Sequence, residues 1–216
     1  MVRLVVAVLA LVGASFVAAL PSRAGDGAAP LLARLASVDP GLQTYKADVA
    51  FDVGMHTFPY LRKTVHGNAY FKRPARMEIV FTDLPGIARA FSNLYVGLGT
   101  PADWERKFEI GTGEEQSGGQ SVDYLVMTPR KPDRRLREVD VYVDPAVALP
   151  SRIVWHYRDG QIEMHQRFGR VDGHDLVVAQ DADIRLPAMH AYVNARITNY
   201  AINVDVDEHV FTKKVE

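Results

Sequence analysis

From Leu42 onward, apolar and polar positions alternate along most of the chain. Tyr45, Ala47, Val49, Phe51 and Val53 alternate with Lys46, Asp48, Ala50 and Asp52, the pattern of a strand with one face buried. Val65–Phe71 and Ala75–Phe81 continue as second and third strands, joined at Lys72-Arg73-Pro74. Proline cannot donate to a strand ladder, so it belongs in that turn. Further strands are predicted at Arg106–Ile110, Gln120–Met127, Leu136–Val143, Ser151–Arg158, Gln161–Phe168, Leu176–Leu186 and Tyr192–Asn203. Asp159-Gly160 and Asp172-Gly173 each stand between two alternating runs, the strongest short-range hairpin signal. Gly111-Thr112-Gly113 and Ser117-Gly118-Gly119 are read as the borders of a polar loop. Strand, tight turn and strand in succession predict an antiparallel meander. The fold class is therefore mainly β (α+β), one large curved sheet of about ten strands without βαβ units.

Two stretches repeat at helical spacing instead. Ala28–Val38 carries Leu31, Leu35 and Val38, with Pro30 in the first turn and Pro40-Gly41 as the stop. Pro85–Leu98 places Ile87, Phe91, Leu94 and Leu98 on one stripe between a starting proline and Gly99. That stripe needs a sheet, or a guest, to cover it.

The N-terminus follows neither pattern. Arg3 precedes an unbroken apolar run from Leu4 to Leu20, then Pro21 and Ser22-Arg23-Ala24. A positive start, an apolar core and small residues before the cut describe a secretory signal peptide. Residues 1–24 are read as that signal, cleaved after Ala24, with Val17-Ala18-Ala19 as a second candidate site, and 25–216 as one domain. The protein is thereby expected in the periplasm or secreted. Without Arg3 and Arg23, 23 basic residues stand against 26 acidic ones, a net charge of −3. Net charge that close to zero gives no electrostatic case by itself for a nucleic-acid or anionic-membrane partner. The basic clusters Lys72-Arg73 and Arg130-Lys131-Pro132-Asp133-Arg134-Arg135 are read as solvated turns.

Chemistry is sparsely encoded. The chain has no cysteine, which excludes a disulfide scaffold, a thiol nucleophile and thiolate metal ligands. It has no G-x-S-x-G elbow and no phosphate-binding glycine loop. A two-residue Asp159-Gly160 loop would pair Trp155 with Met164 on an apolar face. It would gather His156, Glu163 and His165 on the other face, where a zinc site is weighed against an ordinary polar outer surface and the polar surface is preferred. No catalytic residue, metal or cofactor is assigned. What is abundant is apolar strand face: Phe51, Val53, Phe71, Met77, Ile79, Phe81, Val122, Tyr124, Val126, Val139, Val141, Trp155 and Phe168 are all read on inward registers. Such a face is either a packed core or the wall of a cavity.

Gly67-Asn68-Ala69-Tyr70-Phe71-Lys72-Arg73-Pro74-Ala75-Arg76-Met77 resembles the K-R-P hairpin of the LolA-like family, the outer-membrane lipoprotein carriers and their relatives. Asn199-Tyr200-Ala201-Ile202-Asn203, followed by Asp207 and Phe211, is similar to that family's C-terminal ending. The motifs cover about 25 residues, and the order of elements matches in outline. The departure is the Pro85–Leu98 helix and Pro101-Ala102-Asp103-Trp104, where the carriers have a turn and an aromatic strand. The resemblance implies a half-barrel with helices over its concave face, acting as a carrier of acyl chains, lipid or lipoprotein and performing no chemistry. On that reading Phe51, Val53, Phe71, Met77, Ile79, Phe81, Trp155 and Phe168 line the cavity of a monomeric protein, and Ile87, Phe91, Leu94 and Leu98 form its lid. The alternative is an envelope sensor or regulatory module of the same fold, which binds a protein partner.

Overall fold

The computed structural model describes residues 27–58, 60–73, 76–82, 98, 101–117, 120–131, 135–187 and 189–211. The predicted signal peptide lies outside them, as does the predicted Pro85–Leu98 helix apart from Leu98. Among the described residues no helix is long and apolar enough to cross a membrane.

Ten strands form one antiparallel sheet. In chain order they are β1 (Thr44–Met55), β2 (Arg62–Lys72), β3 (Arg76–Phe81), β4 (Phe108–Ser117), β5 (Gln120–Pro129), β6 (Leu136–Val143), β7 (Pro150–Tyr157), β8 (Gly160–Val171), β9 (His174–Leu186) and β10 (Met189–Ile202). Their order across the sheet is β3-β2-β1-β10-β9-β8-β7-β6-β5-β4, so β3 and β4 are edges and the sheet is not closed into a barrel. Helix α1 (Ala28–Ser37) packs against helix α2 (Pro101–Lys107), β4 and β5. Ala28 and Leu35 are its buried positions, seven apart, with Leu31 and Leu32 partly buried between them. A single 3-10 turn, Glu208–Phe211, follows β10.

Among the described residues, the only pairing that is not between chain neighbours is β1 with β10, from Tyr45↔Ile202 to Met55↔Ala191. A bulge interrupts it between Lys46 and Asp48. There Asn199 takes a left-handed φ of 54° and its side chain donates to Asp48 at 2.8 Å, the local geometry that bulges use. The connections sort into two rims. The upper rim carries the β1–β2, β5–β6, β7–β8 and β9–β10 connections, and it is toward this side that β3 ends and from it that β4 begins; the lower rim carries the β2–β3, β4–β5, β6–β7 and β8–β9 connections and both approaches to the β1–β10 seam.

Three expectations change. First, β4 runs through Gly111 to Gln116, where a polar loop was predicted. The strand is an edge, which tolerates polar alternation, and Gly113 leaves space for the Tyr124 ring packed over it. Second, β5 is turned over. Leu125 and Met127 are fully buried on the core side, while Tyr124 stacks on Tyr142 of the opposite face, centroids 4.5 Å apart. Both faces of β5 are apolar, so alternation alone does not choose between them. Val122, Tyr124 and Val126 accordingly face away from the core.

Third, the β7–β8 register differs by two residues. Tyr157 pairs with Gly160, Trp155 with Ile162 and Ile153 with Met164. The turn residues are Arg158 and Asp159. Gly160 enters the strand because a Cβ there would collide with the Arg185 carbonyl of β9. A two-residue shift preserves parity, so Trp155 and Met164 both remain fully buried although they are no longer opposite. At Asp172-Gly173 the hairpin forms as expected, with Val171 opposite His174 and φ of 48° and 85° at the two turn residues. Replacing Gly160 by alanine should destabilise the fold by about 2–3 kcal/mol, because backbone on β9 must move. Urea unfolding of Gly160→Ala checks this, and an unchanged midpoint contradicts the close approach.

Candidate functional site

The concave face of the sheet is a continuous apolar surface. Of the residues read from the sequence as its lining, Phe51, Phe71, Ile79, Leu98 and Trp155 are buried in one cluster. Val53, Met77, Phe81 and Phe168 are only partly buried and pack against that cluster. The Phe51 and Phe81 rings lie 5.6 Å apart across β1, β2 and β3. Tyr45, wholly buried, stacks on Phe71 at 5.2 Å and meets Tyr200 edge-on at 5.3 Å. Burial raises the pKa of both tyrosines, and Tyr200 donates its hydroxyl to the Val177 carbonyl at 2.6 Å. Ile87, Phe91 and Leu94 lie outside the described residues.

Two polar side chains interrupt this surface. Gln166 of β8 and Gln180 of β9 are direct cross-strand partners, 5% and 2% exposed. Both amide atoms of Gln166 and the amide oxygen of Gln180 lack a hydrogen-bond partner among the described residues. The Gln180 amide nitrogen lies against the Met164 sulfur, which is a weak acceptor. The indole N–H of Trp104, fully buried in α2, is likewise unsatisfied. A buried, unmet polar group costs about 1–3 kcal/mol. These groups are therefore an expense that packing alone does not explain. Sequence reasoning passed over them, although the apolar series Ile162, Met164 and Phe168 is broken by glutamine at Gln166, and Ile184 and Ala182 are followed at the same spacing by Gln180.

The outer face holds the ionisable side chains. His156 Nε2 meets Asp140 Oδ2 at 2.7 Å, and Glu138 lies directly opposite His156. Donor atoms of these three residues fall within 4.8 Å of one another. The grouping of His156 with Glu163 and His165 does not form, because the register shift moves them apart. Glu163 instead accepts from Arg152 at 2.7 Å and lies 3.2 Å from His165. Arg152 also covers the Tyr142 ring and pairs with Glu115 at 3.2 Å. The Glu115 carboxyl sits below its ordinary pKa, chiefly through a hydrogen bond from Tyr142. These residues edge a depression of about 230 Å³ bounded by Val143, Asp144 and Ser151, too small and polar for an acyl chain.

The motifs that carried the family resemblance are clamps on the lower rim. Arg73 donates through its guanidinium to the carbonyls of Leu42 and Asp39. Burial lowers the pKa of that guanidinium, and nearby Asp39 partly offsets the effect. Asp39 in turn meets His174 at 2.6 Å. Asn203 accepts from the Gln43 N–H at 2.8 Å and donates to the Gly41 carbonyl at 3.1 Å. Asp207 accepts from the His209 N–H at 2.9 Å, and Glu208 binds Lys72 at 2.6 Å and also Arg76. Gly67 lets β3 approach, since a Cβ would come within 2.8 Å of the Val80 carbonyl. All these residues hold the start and end of the sheet to each other; none faces the apolar surface with a reactive group.

No protein-family model matches the sequence, and no curated protein matches it. Solved structures do match. A DUF1329 family protein from Desulfovibrio piger superposes with a TM-score of 0.62 at 14% identity, over 86% of this chain and 95% of that one. A LolA superfamily protein from Nitrosomonas europaea gives 0.60 at 10% identity, over 86% and 97%. An outer membrane lipoprotein-sorting protein domain from Vibrio parahaemolyticus gives 0.61 at 12% identity, over 85% and 94%. The chain has a LolA-like fold.

If the two buried amides are an unmet cost in the empty protein, apolar replacements of similar length should relieve it. Gln166→Met with Gln180→Met is expected to raise stability by about 2 kcal/mol in urea unfolding. A loss of stability would mean that both amides are satisfied in solution.

Proposed function

We propose that the protein is an extracytoplasmic binding protein whose half-barrel receives an acyl chain of a lipid or lipoprotein and performs no chemistry. The observation that carries this reading is the concave face itself: apolar across the sheet, half-open at Val53, Met77, Phe81 and Phe168, and furnished with two glutamines whose amide oxygens, and the amide nitrogen of Gln166, have no hydrogen-bond partner among the described residues. A surface meant only as core gains nothing from buried amides, whereas a surface that receives a guest can hydrogen-bond its polar group. The LolA-like fold supports the reading, since proteins of similar architecture include a lipoprotein-sorting domain. The predicted signal at residues 1–24, with cleavage after Ala24, supports a periplasmic or secreted location for a mature domain of 25–216.

The energetics suffice. Each buried CH₂ contributes about 0.8 kcal/mol, and association costs ~4–15 kcal/mol. Toward the lower end of that cost, a palmitoyl-length chain binds at micromolar level. Titration with a fluorescent fatty acid should saturate in that range for the wild type. Phe168→Asp, which puts a charge on the half-open part of the face, should abolish uptake, with circular dichroism confirming that the variant is folded. Absence of saturable binding by the wild type contradicts the proposal.

A further inference from the structure

The β1–β2 connection ends in two exposed aromatic rings. Phe58 is 83% and Tyr60 71% exposed, the most exposed large apolar side chains among the described residues. They meet edge-on, centroids 6.5 Å apart. The tip is built to hold them out. Tyr60 adopts a φ of 50°, a conformation a bulky side chain rarely takes. Its N–H closes a turn on the Thr57 carbonyl at 2.8 Å, and Met55 N–H bonds to the Leu61 carbonyl at 2.8 Å. The loop is tied to the β9–β10 connection through His56 N–H to the His190 carbonyl at 2.7 Å and His190 N–H to the Thr57 hydroxyl at 3.3 Å.

The same rim gathers positive charge that is scattered in the sequence. Antiparallel connectivity brings Arg62, Lys63, Arg130, Lys131, Arg158 and Arg185 to the upper rim, all exposed. Opposing charge at this end comes, among the described residues, from Glu105, Glu109, Asp159 and Asp183, the last already paired with Arg185 at 2.6 Å. The lower rim carries Asp144, Asp172, Asp175, Asp205 and Glu208, balanced there by Lys72, Arg73, Arg76 and Arg170. In a chain with almost no net charge, the upper rim thus holds an excess of exposed positive side chains while the lower rim is mixed.

We propose that the upper rim docks on an anionic lipid surface, with Phe58 and Tyr60 seated at the headgroup level and the surrounding arginines and lysines against the phosphates. Amphipathic rings prefer that interfacial depth, and long basic side chains on several separate loops suit a laterally extended charged plane. The rim presents protruding rings, not a groove, which favours a lipid surface over a protein ligand. Docking goes beyond the acyl-chain reading and does not depend on it.

The test is co-sedimentation of the folded protein with vesicles of phosphatidylcholine alone and of phosphatidylcholine mixed with phosphatidylglycerol. The wild type should bind the mixed vesicles at low salt, release in ~1 M NaCl, where charges are screened within about 3 Å, and bind neutral vesicles weakly. Arg62→Gln with Lys63→Gln should weaken binding roughly thirtyfold, about fivefold for each charge. Phe58→Ser with Tyr60→Ser should weaken it by roughly tenfold or more while leaving fatty-acid titration unchanged. Absence of binding to mixed vesicles, equal binding to neutral ones, or indifference to both double substitutions overturns the proposal. So does a crosslink from residue 58 to an envelope protein in intact cells combined with no vesicle binding, because the rim would then serve a protein partner.

Discussion

The pairing of β1 with β10 holds everything else in place. Every other ladder among the described residues joins strands adjacent in the chain, so each hairpin can form by itself; this seam joins Tyr45 to Ile202 and Met55 to Ala191, far apart in the sequence. Without it β1–β3 and β4–β10 are two separate sheets, each with an exposed edge and half of an apolar face. Bringing such distant segments together carries a loop-closure cost that local hairpins avoid. The lower-rim contacts offset it. Arg73 reaches the carbonyls of Asp39 and Leu42, Asn203 bridges Gly41 and Gln43, and Glu208 reaches Lys72 and Arg76. They lie where the first strand begins and the last one ends.

This division of labour separates structure from recognition. The lower rim is spent on clamps, the outer face on ion pairs around Arg152 and Asp140, and the concave face on apolar burial. On the concave face Gln166 and Gln180 keep amide atoms that no described residue satisfies. Stability forgone at Gln166 and Gln180 is the kind of local inconsistency that natural proteins retain at functional positions.

The fold was legible because period-two alternation repeats through nearly every strand, and Leu136–Val143 appears with the bounds its pattern indicates. Misreadings have separate physical causes. Gly160 resembles a turn glycine but serves a close approach to Arg185, information held by a neighbouring strand and not by the local dipeptide. In β5 both faces are apolar, so orientation is decided by neighbouring strands: Tyr142 receives Tyr124 on the outer face while Leu125 and Met127 enter the core. The polar run after Gly111 forms a strand because it lies at an edge. Site residues were legible as a class, since apolar periodicity marks one face, but the glutamines on that face were absorbed into the same pattern. The K-R-P motif pointed correctly to the fold while saying little about function, because Lys72 and Arg73 are structural fasteners.

The central claim is that the concave face is a receptor surface. Native mass spectrometry of the mature protein, exported and purified without detergent from a cell with a normal envelope, tests it most directly. The account predicts a bound species released on collisional activation, with the mass of an acyl-bearing lipid or lipoprotein fragment, and diminished in Phe168→Asp. A homogeneous ligand-free mass that stays unchanged after incubation with membrane lipid extract would contradict it.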